Sequence, residues 1–119
     1  MTILKVFDNV IGFYLQRAHF QYHRRLKVFW NKGFSCVQCG LEGNKIIKSK
    51  DKCGNVHYDL YHWTPGKRIL MTVDHIIPKS LGGGNQLENL QPMCCKCNTA
   101  KGNKIYLPIQ VNCELALTN

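Results

Sequence analysis

Three side chains between positions 74 and 98 could together hydrolyse a phosphodiester bond. An imidazole ordinarily titrates near neutral pH, so the side chain of His75 is a suitable base for activating a water molecule. The carboxylate of Asp74 and the side-chain oxygen of Asn98 are hard ligands, which can hold a divalent cation and leave some of its positions open. Such a cation would stabilise the charge that develops on phosphorus and on the leaving oxygen. These residues predict hydrolytic chemistry that depends on a divalent metal ion.

Asp74 and His75 are adjacent, and adjacent residues of a strand point to opposite faces of the sheet. The two side chains can therefore approach one phosphate only if the strand ends or bends at this point. Ile76, Ile77 and Pro78 follow directly, which is consistent with the end of a strand. We expect a strand that ends near His75.

Two CxxC pairs could form a structural zinc site. Cys36 and Cys39 form the first pair, Cys94 and Cys97 form the second, and four thiolates satisfy tetrahedral Zn²⁺. The 54 residues between the pairs are more than a compact zinc finger has, but they fit if a hairpin and the catalytic loop are inserted there. Asn98 follows Cys97 directly, so the metal would fix its position. The pairs could instead be buried thiols or a redox motif.

The remaining cysteines and histidines do not extend this pattern. Cys95 could replace Cys94 as a ligand, but only one residue would then separate it from Cys97. Cys53 and Cys113 belong to neither pair and are expected to be ordinary core thiols. The histidines that lie outside any ligand spacing, and are not expected to bind metal, are His19, His23, His57 and His62.

A helix is predicted over residues 9 to 31. Its apolar stripe recurs at spacings of three and four residues and is formed by Ile11, Tyr14, Leu15, Ala18, Tyr22, Leu26 and Phe29. Asp8 or Asn9 could cap its start, and Gly33 lies just past its end. The opposite face carries basic and aromatic side chains, namely Arg17, Arg24, Lys27, Phe13 and Phe20. That face could be solvated, lie along DNA or dock a partner protein.

The rest of the chain predicts strands, a long loop and a short helix. The strand candidates, separated by turn signals, are Lys45–Ser49, Val56–Trp63 and Ile69–Val73. Residues 74 to 90 are expected to form two hairpin arms joined by a loop that contains Pro78 and three glycines. A helix is expected from Cys95 to Lys101, with Gly102 as its stop signal. The tail from 105 to 119 shows no clear period.

Composition limits the class of protein. A chain of 119 residues is expected to form one domain, 1–119. Its 16 Lys and Arg against 7 Asp and Glu give a net charge of +9, which favours a polyanionic partner such as a phosphate backbone. The seven cysteines are an odd number, no signal peptide is visible, and no apolar run is long enough to span a bilayer. These features predict a soluble, reduced, cytoplasmic protein that does not enter membranes.

The order and spacing of the site residues resemble the HNH nuclease family. That family is marked by D-H-I-x-P, two glycines, N-L and C-x2-C-N-x2-K. The matching residues here are Asp74-His75-Ile76-Ile77-Pro78, Gly82-Gly83, Asn89-Leu90, and Cys94 through Asn98 with Lys101. Fourteen positions from His75 to Asn89 and nine from Asn89 to Asn98 also fit the family. The resemblance covers residues 73–104. It extends to the first Cys pair because that pair would share a zinc ion with the second pair.

The resemblance implies a fold and a role for each site residue. The fold would be α+β, with a ββα-metal (His-Me finger) core, a four-cysteine structural zinc site with knuckles at 36–39 and 94–97, and an N-terminal helix. His75 would be the general base, and Asn89 would brace the loop that orients it. Asp74 and Asn98 would bind the divalent ion, and the amide of Asn98 favours Mg²⁺ or Mn²⁺. Candidate phosphate contacts are Lys79, Lys101, Lys104, Arg17 and Arg24, although Lys101 could equally be a solvated helix residue.

Two functions from different classes fit these features. The first is a metal-dependent endonuclease that nicks or cuts duplex DNA, of the phage or mobile-element type rather than a toxin or restriction enzyme. The second is a zinc-ribbon protein that binds nucleic acid without catalysis, as an accessory in a larger assembly. The complete set of Asp74, His75 and Asn98 favours the nuclease, because a binding module does not need it. A protein partner or a homodimer would be compatible with the nuclease.

Overall fold

The computed structural model describes residues 1–16 and 23–105. Within these ranges the helices are α1 (Val10–Leu15), α2 (Arg24–Lys32) and α3 (Cys95–Lys101), and the strands are β1 (Thr2–Phe7), β2 (Lys45–Lys50), β3 (Val56–Thr64), β4 (Lys67–His75) and β5 (Leu90–Cys94). The loop between β4 and β5 contains two 3-10 turns, at Lys79–Leu81 and Leu87–Asn89. The strands form an antiparallel sheet in chain order, β1-β2-β3-β4-β5. The described chain is therefore a small α+β structure.

The three strands predicted between positions 45 and 73 are present. β2 and β3 extend one residue beyond their predicted ends, and β4 is longer at both ends. The β3–β4 turn contains Gly66 with a φ of 78°, which a residue with a side chain rarely adopts. Next to this turn, Arg68 pairs with Trp63 across the hairpin, and its guanidinium lies 3.9 Å from the centre of an indole ring. The hairpin that leads into the site is thus stabilised at its far end.

The N-terminal region departs from the single helix predicted over residues 9 to 31. That helix is not evident as one element, because α1 ends at Leu15 and α2 begins only after His23, which is extended (φ −105°, ψ 107°). The predicted residues that lie outside the described ranges are Arg17, Ala18, His19, Phe20 and Tyr22. The ends agree with the prediction: Asn9 accepts a hydrogen bond from the N–H of Gly12 at 2.9 Å, and Gly33 ends α2 with a φ of 102°.

The buried face of α1 differs from the predicted apolar stripe. Ile11 and Leu15 are 55% and 73% exposed, whereas Phe13, which was expected on the polar face, is 3% exposed. α1 has only six residues, and its orientation follows from contact with β1 rather than from a long periodic pattern. The rings of Phe7 and Phe13 meet edge to face with centroids 5.0 Å apart. The stripe residues that are buried as predicted are Tyr14, Leu26 and Phe29.

An apolar core joins the helices to the sheet and extends to the second Cys pair. Phe29 of α2 packs in the same cluster as Ile46, Leu60 and Cys94. The hydroxyl of Tyr14 donates to the backbone oxygen of Leu26 at 2.7 Å, and burial raises the pKa of this phenol above its usual value. None of the helices in the described ranges is long and apolar enough to cross a membrane. The core therefore fixes α2, the sheet and the start of α3 relative to one another.

Candidate functional site

The site begins where α3 packs against the end of β4. Residues three apart on a helix share a face, as do residues two apart on a strand. Asn98 and Lys101 of α3 accordingly meet Thr72 and Asp74 of β4. The contact places two predicted site residues, Asp74 and Asn98, on facing sides of one helix–strand interface. β4 ends at His75, as expected, so the third predicted residue lies at the same edge.

Hydrogen bonds fix the side-chain amide of Asn98. Its Nδ2 donates to Thr72 Oγ1 at 2.8 Å, and the hydroxyl of Thr72 donates to the backbone oxygen of Met93 at 2.7 Å. Because the single hydroxyl proton of Thr72 is used toward Met93, this hydroxyl can only accept from Asn98. The amide is thereby oriented with its nitrogen toward Thr72 and its oxygen left to act as a ligand. Thr72 was not singled out in the sequence, where it reads as an ordinary strand residue.

The carboxylate of Asp74 is buried and accepts hydrogen bonds from two side chains, Gln91 and Lys101. Asp74 is 5% exposed, and its Oδ2 accepts from Gln91 Nε2 at 2.9 Å across the β4–β5 pair. Lys101 Nζ lies 3.0 Å from Oδ2 and 3.2 Å from Oδ1. The two donors hold the carboxylate in one orientation, and Gln91 is a further residue that the sequence pattern did not reveal.

The position of Lys101 corrects the expectation that it contacts phosphate or lies in solvent. Its side chain is 1% exposed, and besides Asp74 its Nζ contacts the backbone oxygen of His75 at 2.9 Å. An ammonium group has three donors, and these contacts account for them. Lys101 is therefore part of the interior of the site and is not available to a nucleic-acid backbone.

His75 stands at the surface of the site with one ring nitrogen engaged. Its Nε2 lies 2.8 Å from Asn85 Oδ1. An amide oxygen can only accept a hydrogen bond, so the neutral ring carries its proton on Nε2 and leaves Nδ1 free to take up a proton. Asn85 follows three glycines, where the sequence suggests only a turn former.

The side chain of Asn89 is hydrogen-bonded to the main chain of the loop that follows His75. The side chain is 6% exposed and forms three hydrogen bonds to main chain: it accepts from Ile77 N–H at 2.8 Å and donates to Ile77 O at 3.1 Å and Gly84 O at 2.9 Å. Its own backbone oxygen accepts from the N–H of Ile76 at 2.8 Å. A Cβ on Gly83 would lie 1.6 Å from the oxygen of Ile77, so the loop closes this tightly only with glycine there. The main chain after His75 is thereby fixed.

A cleft of about 300 Å³ brings the three chemical residues together. Its lining includes Asp74, His75 and Asn98, with Lys79 also contributing. Lys79 is exposed, which suits a phosphate contact, and Lys104 is exposed a few residues beyond α3. Arg24 lies instead on a different cleft, at the start of α2. Arg17 lies outside the described residues.

The two Cys pairs meet in a cluster that fits a zinc ion. The sulfurs of Cys36, Cys39, Cys94 and Cys97 all lie within 4.8 Å of one another, and those of Cys39 and Cys94 are 3.8 Å apart. Zn–S bonds of about 2.3 Å in a tetrahedron place sulfurs roughly 3.8 Å apart. Cys95 is not a member of the cluster and packs against the core, which removes it as an alternative ligand. The four residues can therefore hold one zinc ion.

Local structure forms each half of the cluster. In the first pair, the N–H of Gly40 donates to Cys36 O at 2.9 Å, and Gly40 has a φ of 78°, which lets the chain curl back around the sulfurs. In the second pair, Cys94 is the N-cap of α3, and its sulfur accepts from the N–H of Cys97 at 3.5 Å. Each pair thus directs both of its sulfurs to the same point.

The thiol pKa values also fit a cation at the centre of the cluster. Burial and hydrogen bonds from the neighbouring thiols raise the pKa of Cys97 to about 12, and burial raises that of Cys94. Burial would raise the pKa of Cys36 as well, but backbone hydrogen bonds, the first at Cys39, outweigh it and lower the pKa to about 7. Thiols this close together resist losing their protons without a positive charge, and Zn²⁺ deprotonates its thiol ligands when it binds.

The other thiols and imidazoles lie apart from the cluster. Cys53 is exposed in the turn after β2, so the expectation that it is a core thiol is wrong, and Cys113 lies outside the described residues. His57 Nε2 lies 2.8 Å from Asp51 Oδ2, and this contact holds the pKa of Asp51 at about 2. His62 Nδ1 lies 2.7 Å from the backbone oxygen of Glu42. The imidazoles of His57 and His62 thus have partners outside the Cys cluster.

Comparison with known proteins agrees with the site. The model of the HNH endonuclease family matches residues 63–104, a range that contains β4, the braced loop, β5, α3 and the second Cys pair. No curated protein and no solved structure matches the chain. Residues 63–104 of this chain are therefore similar to the HNH endonuclease domain.

Proposed function

We propose that this protein is an endonuclease that hydrolyses phosphodiester bonds in duplex DNA and requires a divalent metal ion. The HNH domain supports phosphodiester hydrolysis as the reaction class. The observation that carries the proposal is the cleft in which Asp74, His75 and Asn98 meet. A general base and two hard oxygen ligands for a divalent ion lie within one cleft, and metal-assisted hydrolysis of a phosphodiester bond uses these groups.

Asp74 and Asn98 fit Mg²⁺ or Mn²⁺. A carboxylate offers about four lone-pair sites, so the contacts with Gln91 and Lys101 leave room for a metal ion. Asn98 presents its oxygen because its nitrogen is bound to Thr72. Two ligands from the chain leave positions for water and phosphate oxygens, which is how Mg²⁺ is commonly held in proteins. The bound ion would supply charge stabilisation for the pentavalent phosphorus and the leaving oxygen.

His75 serves as the general base. Asn85 holds the ring through Nε2, and Nδ1 takes a proton from the attacking water. Asn89 fixes the main chain at Ile77, two residues beyond, so the imidazole has a defined position before the substrate arrives. Lys79 in the same cleft neutralises backbone phosphate close to the bond that is cleaved.

The Cys cluster binds Zn²⁺ in a structural role. It joins the knuckle at 36–39 to the start of α3, and α3 carries Asn98 and Lys101 into the site. The zinc therefore supports catalysis by holding the helix and takes no part in the reaction. On this assignment β4, β5 and α3 are the strands and helix of a ββα-metal core.

The net charge of +9 supports nucleic acid as the substrate. Exposed basic residues lie along the hairpin that leads to the site as well as in the cleft, at Lys67, Arg68 and Lys79. Duplex DNA can extend from the cleft along this hairpin. Because phosphate contacts dominate such an interface, binding should weaken steeply with added salt.

Nicking of supercoiled plasmid tests the proposal. Zinc-loaded protein should convert the plasmid to open circles with Mg²⁺ or Mn²⁺ and show no such activity when neither ion is added. His62→Ala is a matched control, because His62 contacts the backbone of Glu42 rather than the cleft. Binding to plasmid without nicking, under every divalent ion tried, would instead support a zinc-ribbon accessory protein without catalysis. Parallel incubation with duplex RNA separates the two nucleic acids.

A further inference from the structure

Lys101 is a buried cation that contacts both site residues at the end of β4. Its ammonium group lies 3.0 Å and 3.2 Å from the two oxygens of Asp74 and 2.9 Å from the backbone oxygen of His75. The side chain is 1% exposed, so water contributes little to its solvation. Since Lys101 is the last residue of α3, this contact ties the end of the helix to the end of the strand.

A buried carboxylate needs a nearby positive charge. Asp74 is 5% exposed, and removing a carboxylate from water costs several kcal/mol unless it is paired and hydrogen-bonded. A divalent ion would provide the charge only while bound. Lys101 provides it at all times, in contact with both carboxylate oxygens.

We propose that Lys101 is an internal counter-cation that positions Asp74 and the end of β4 before the divalent ion binds. It is a positioning residue that acts through Asp74 and the backbone of His75 without touching the substrate. The site is then complete in protein that holds only zinc, and the divalent ion can bind and leave without unfolding it. The divalent ion is the one assigned to Asp74 and Asn98 under the proposed function, and its presence rests on that function.

Removing the charge of Lys101 should make stability depend on the divalent ion. Lys101→Met keeps most of the length of the side chain but leaves the Asp74 carboxylate buried without its partner. The loss of one member of a buried ion pair is strongly destabilising, and for a domain of this size we expect Tm to fall by roughly 10–20 °C. Mn²⁺ bound at Asp74 would replace the missing charge, so it should restore much of that loss by mass action. In the original protein two cations beside one carboxylate repel, and Mn²⁺ should raise Tm by only a few degrees.

The experiment is a Tm measurement on zinc-loaded protein, with and without Mn²⁺, across the original protein and four variants: Lys101→Met, Asp74→Asn, the two combined, and Lys96→Met. Lys101→Met should show the largest increase in Tm on adding Mn²⁺. Asp74→Asn combined with Lys101→Met should be more stable without Mn²⁺ than Lys101→Met alone, because no buried charge remains. The same double variant should not respond to Mn²⁺. Lys96→Met is the matched control on α3, since Lys96 is exposed, and it should leave both Tm and the response to Mn²⁺ unchanged.

If Lys101→Met does not fold, the double variant still tests whether Lys101 acts as a counter-charge. A folded double variant supports the counter-charge role, because only the unpaired carboxylate differs between the two proteins. The proposal would be overturned if Lys101→Met lowered Tm by the same amount in the original protein and in Asp74→Asn, and if Mn²⁺ restored none of that loss. Lys101 would then contribute to packing alone. If Asp74→Asn restores stability but Mn²⁺ raises the Tm of no variant, the pairing stands and the divalent site of the proposed function fails.

Discussion

The two candidate ion sites lie at opposite ends of α3 and differ in ligand type, completeness and charge. At the start of the helix, the four sulfurs of the Cys cluster lie within 4.8 Å of one another, close enough to bind one tetrahedral ion. Further along, Asn98 and Lys101 face the carboxylate of Asp74 beside a cleft of about 300 Å³. The first site offers soft ligands with no position left open, and the second offers hard oxygens with open positions and a resident cation.

The two sites are expected to contribute differently to the domain, the Cys cluster mainly to its stability and the oxygen site mainly to its activity. The Cys cluster is proposed to depend on its ion, because four thiolates this close together repel one another unless a positive charge lies between them. The oxygen site keeps its shape through Lys101, Gln91 and Asn89, which are all side chains of the protein itself. Changes at the cluster should therefore alter folding, whereas removing a side chain that only faces the cleft, such as the imidazole of His75, should alter the rate of reaction.

The largest effect should come from breaking the Cys cluster. Structural zinc contributes roughly 10–16 kcal/mol of apparent binding free energy in small zinc peptides, which is comparable to the 5–15 kcal/mol that typically stabilises a whole domain. Cys36→Ser should abolish stoichiometric zinc binding and the cooperative thermal transition together, measured by metal analysis and calorimetry. Cys53→Ser changes an exposed thiol outside the cluster and should change neither. A Cys36→Ser protein with an unchanged Tm would count against the structural zinc.

The next effect should be confined to rate. His75→Ala removes the general base, and such groups contribute about 10²- to 10⁴-fold, so the rate of plasmid nicking should drop by that factor. Zinc content and Tm should stay as they are, because the ring lies at the surface and its one hydrogen bond is to exposed Asn85. If His75→Ala retains nicking, His75 is not the base.

A smaller effect should come from the loop that supports His75. A Cβ at Gly83 would lie 1.6 Å from the backbone oxygen of Ile77, so Gly83→Ala must displace main chain, at a cost of roughly 1–3 kcal/mol. Both Tm and nicking should fall, while zinc content stays at one ion per chain. Gly84→Ala is the matched control, because the first atom its Cβ meets belongs to the flexible side chain of Gln86. Equal behaviour of the two variants would show that the tight closure at Gly83 has no role in the site.

The smallest effect should appear in DNA binding. Lys79→Ala removes one exposed charge from the cleft and should weaken duplex binding modestly, without altering Tm. The slope of log K against log salt concentration should become shallower by about 0.9, the value expected for one phosphate contact. Filter binding or fluorescence anisotropy over a range of salt concentrations measures this slope. An unchanged slope would remove Lys79 from the DNA interface.

The parts of the structure that could be predicted from sequence are those in which local chemistry dictates spacing. Two residues between metal-binding cysteines are enough to identify the cluster at Cys36, Cys39, Cys94 and Cys97. Gly66 identified the β3–β4 turn, and Gly102 identified the end of α3, because both positions need a positive φ. The family resemblance pointed to Asn89, whose hydrogen bonds to the loop spacing alone does not indicate.

The parts that could not be predicted depend on tertiary packing, that is, on which helices and strands contact one another. Lys101 looks like a solvated residue at the end of a helix, and only the packing of α3 on β4 places Asp74 beside it. β1 was missed because it is an edge strand that is exposed along nearly its whole length, so its sequence shows no alternation of apolar and polar residues. Phe13 was assigned to the wrong face because a six-residue helix is oriented by its contact with Phe7 rather than by periodicity.

The central claim is that Asp74 and Asn98 share one divalent ion beside His75. Crystals of the His75→Ala protein, soaked in Mn²⁺ and measured for anomalous scattering, test it directly. We expect a manganese peak in the cleft, about 2.1 Å from an oxygen of Asp74 and from Oδ1 of Asn98. This peak would be distinct from the zinc peak at the Cys cluster. An anomalous map with zinc at the cluster and no manganese between Asp74 and Asn98 would contradict it.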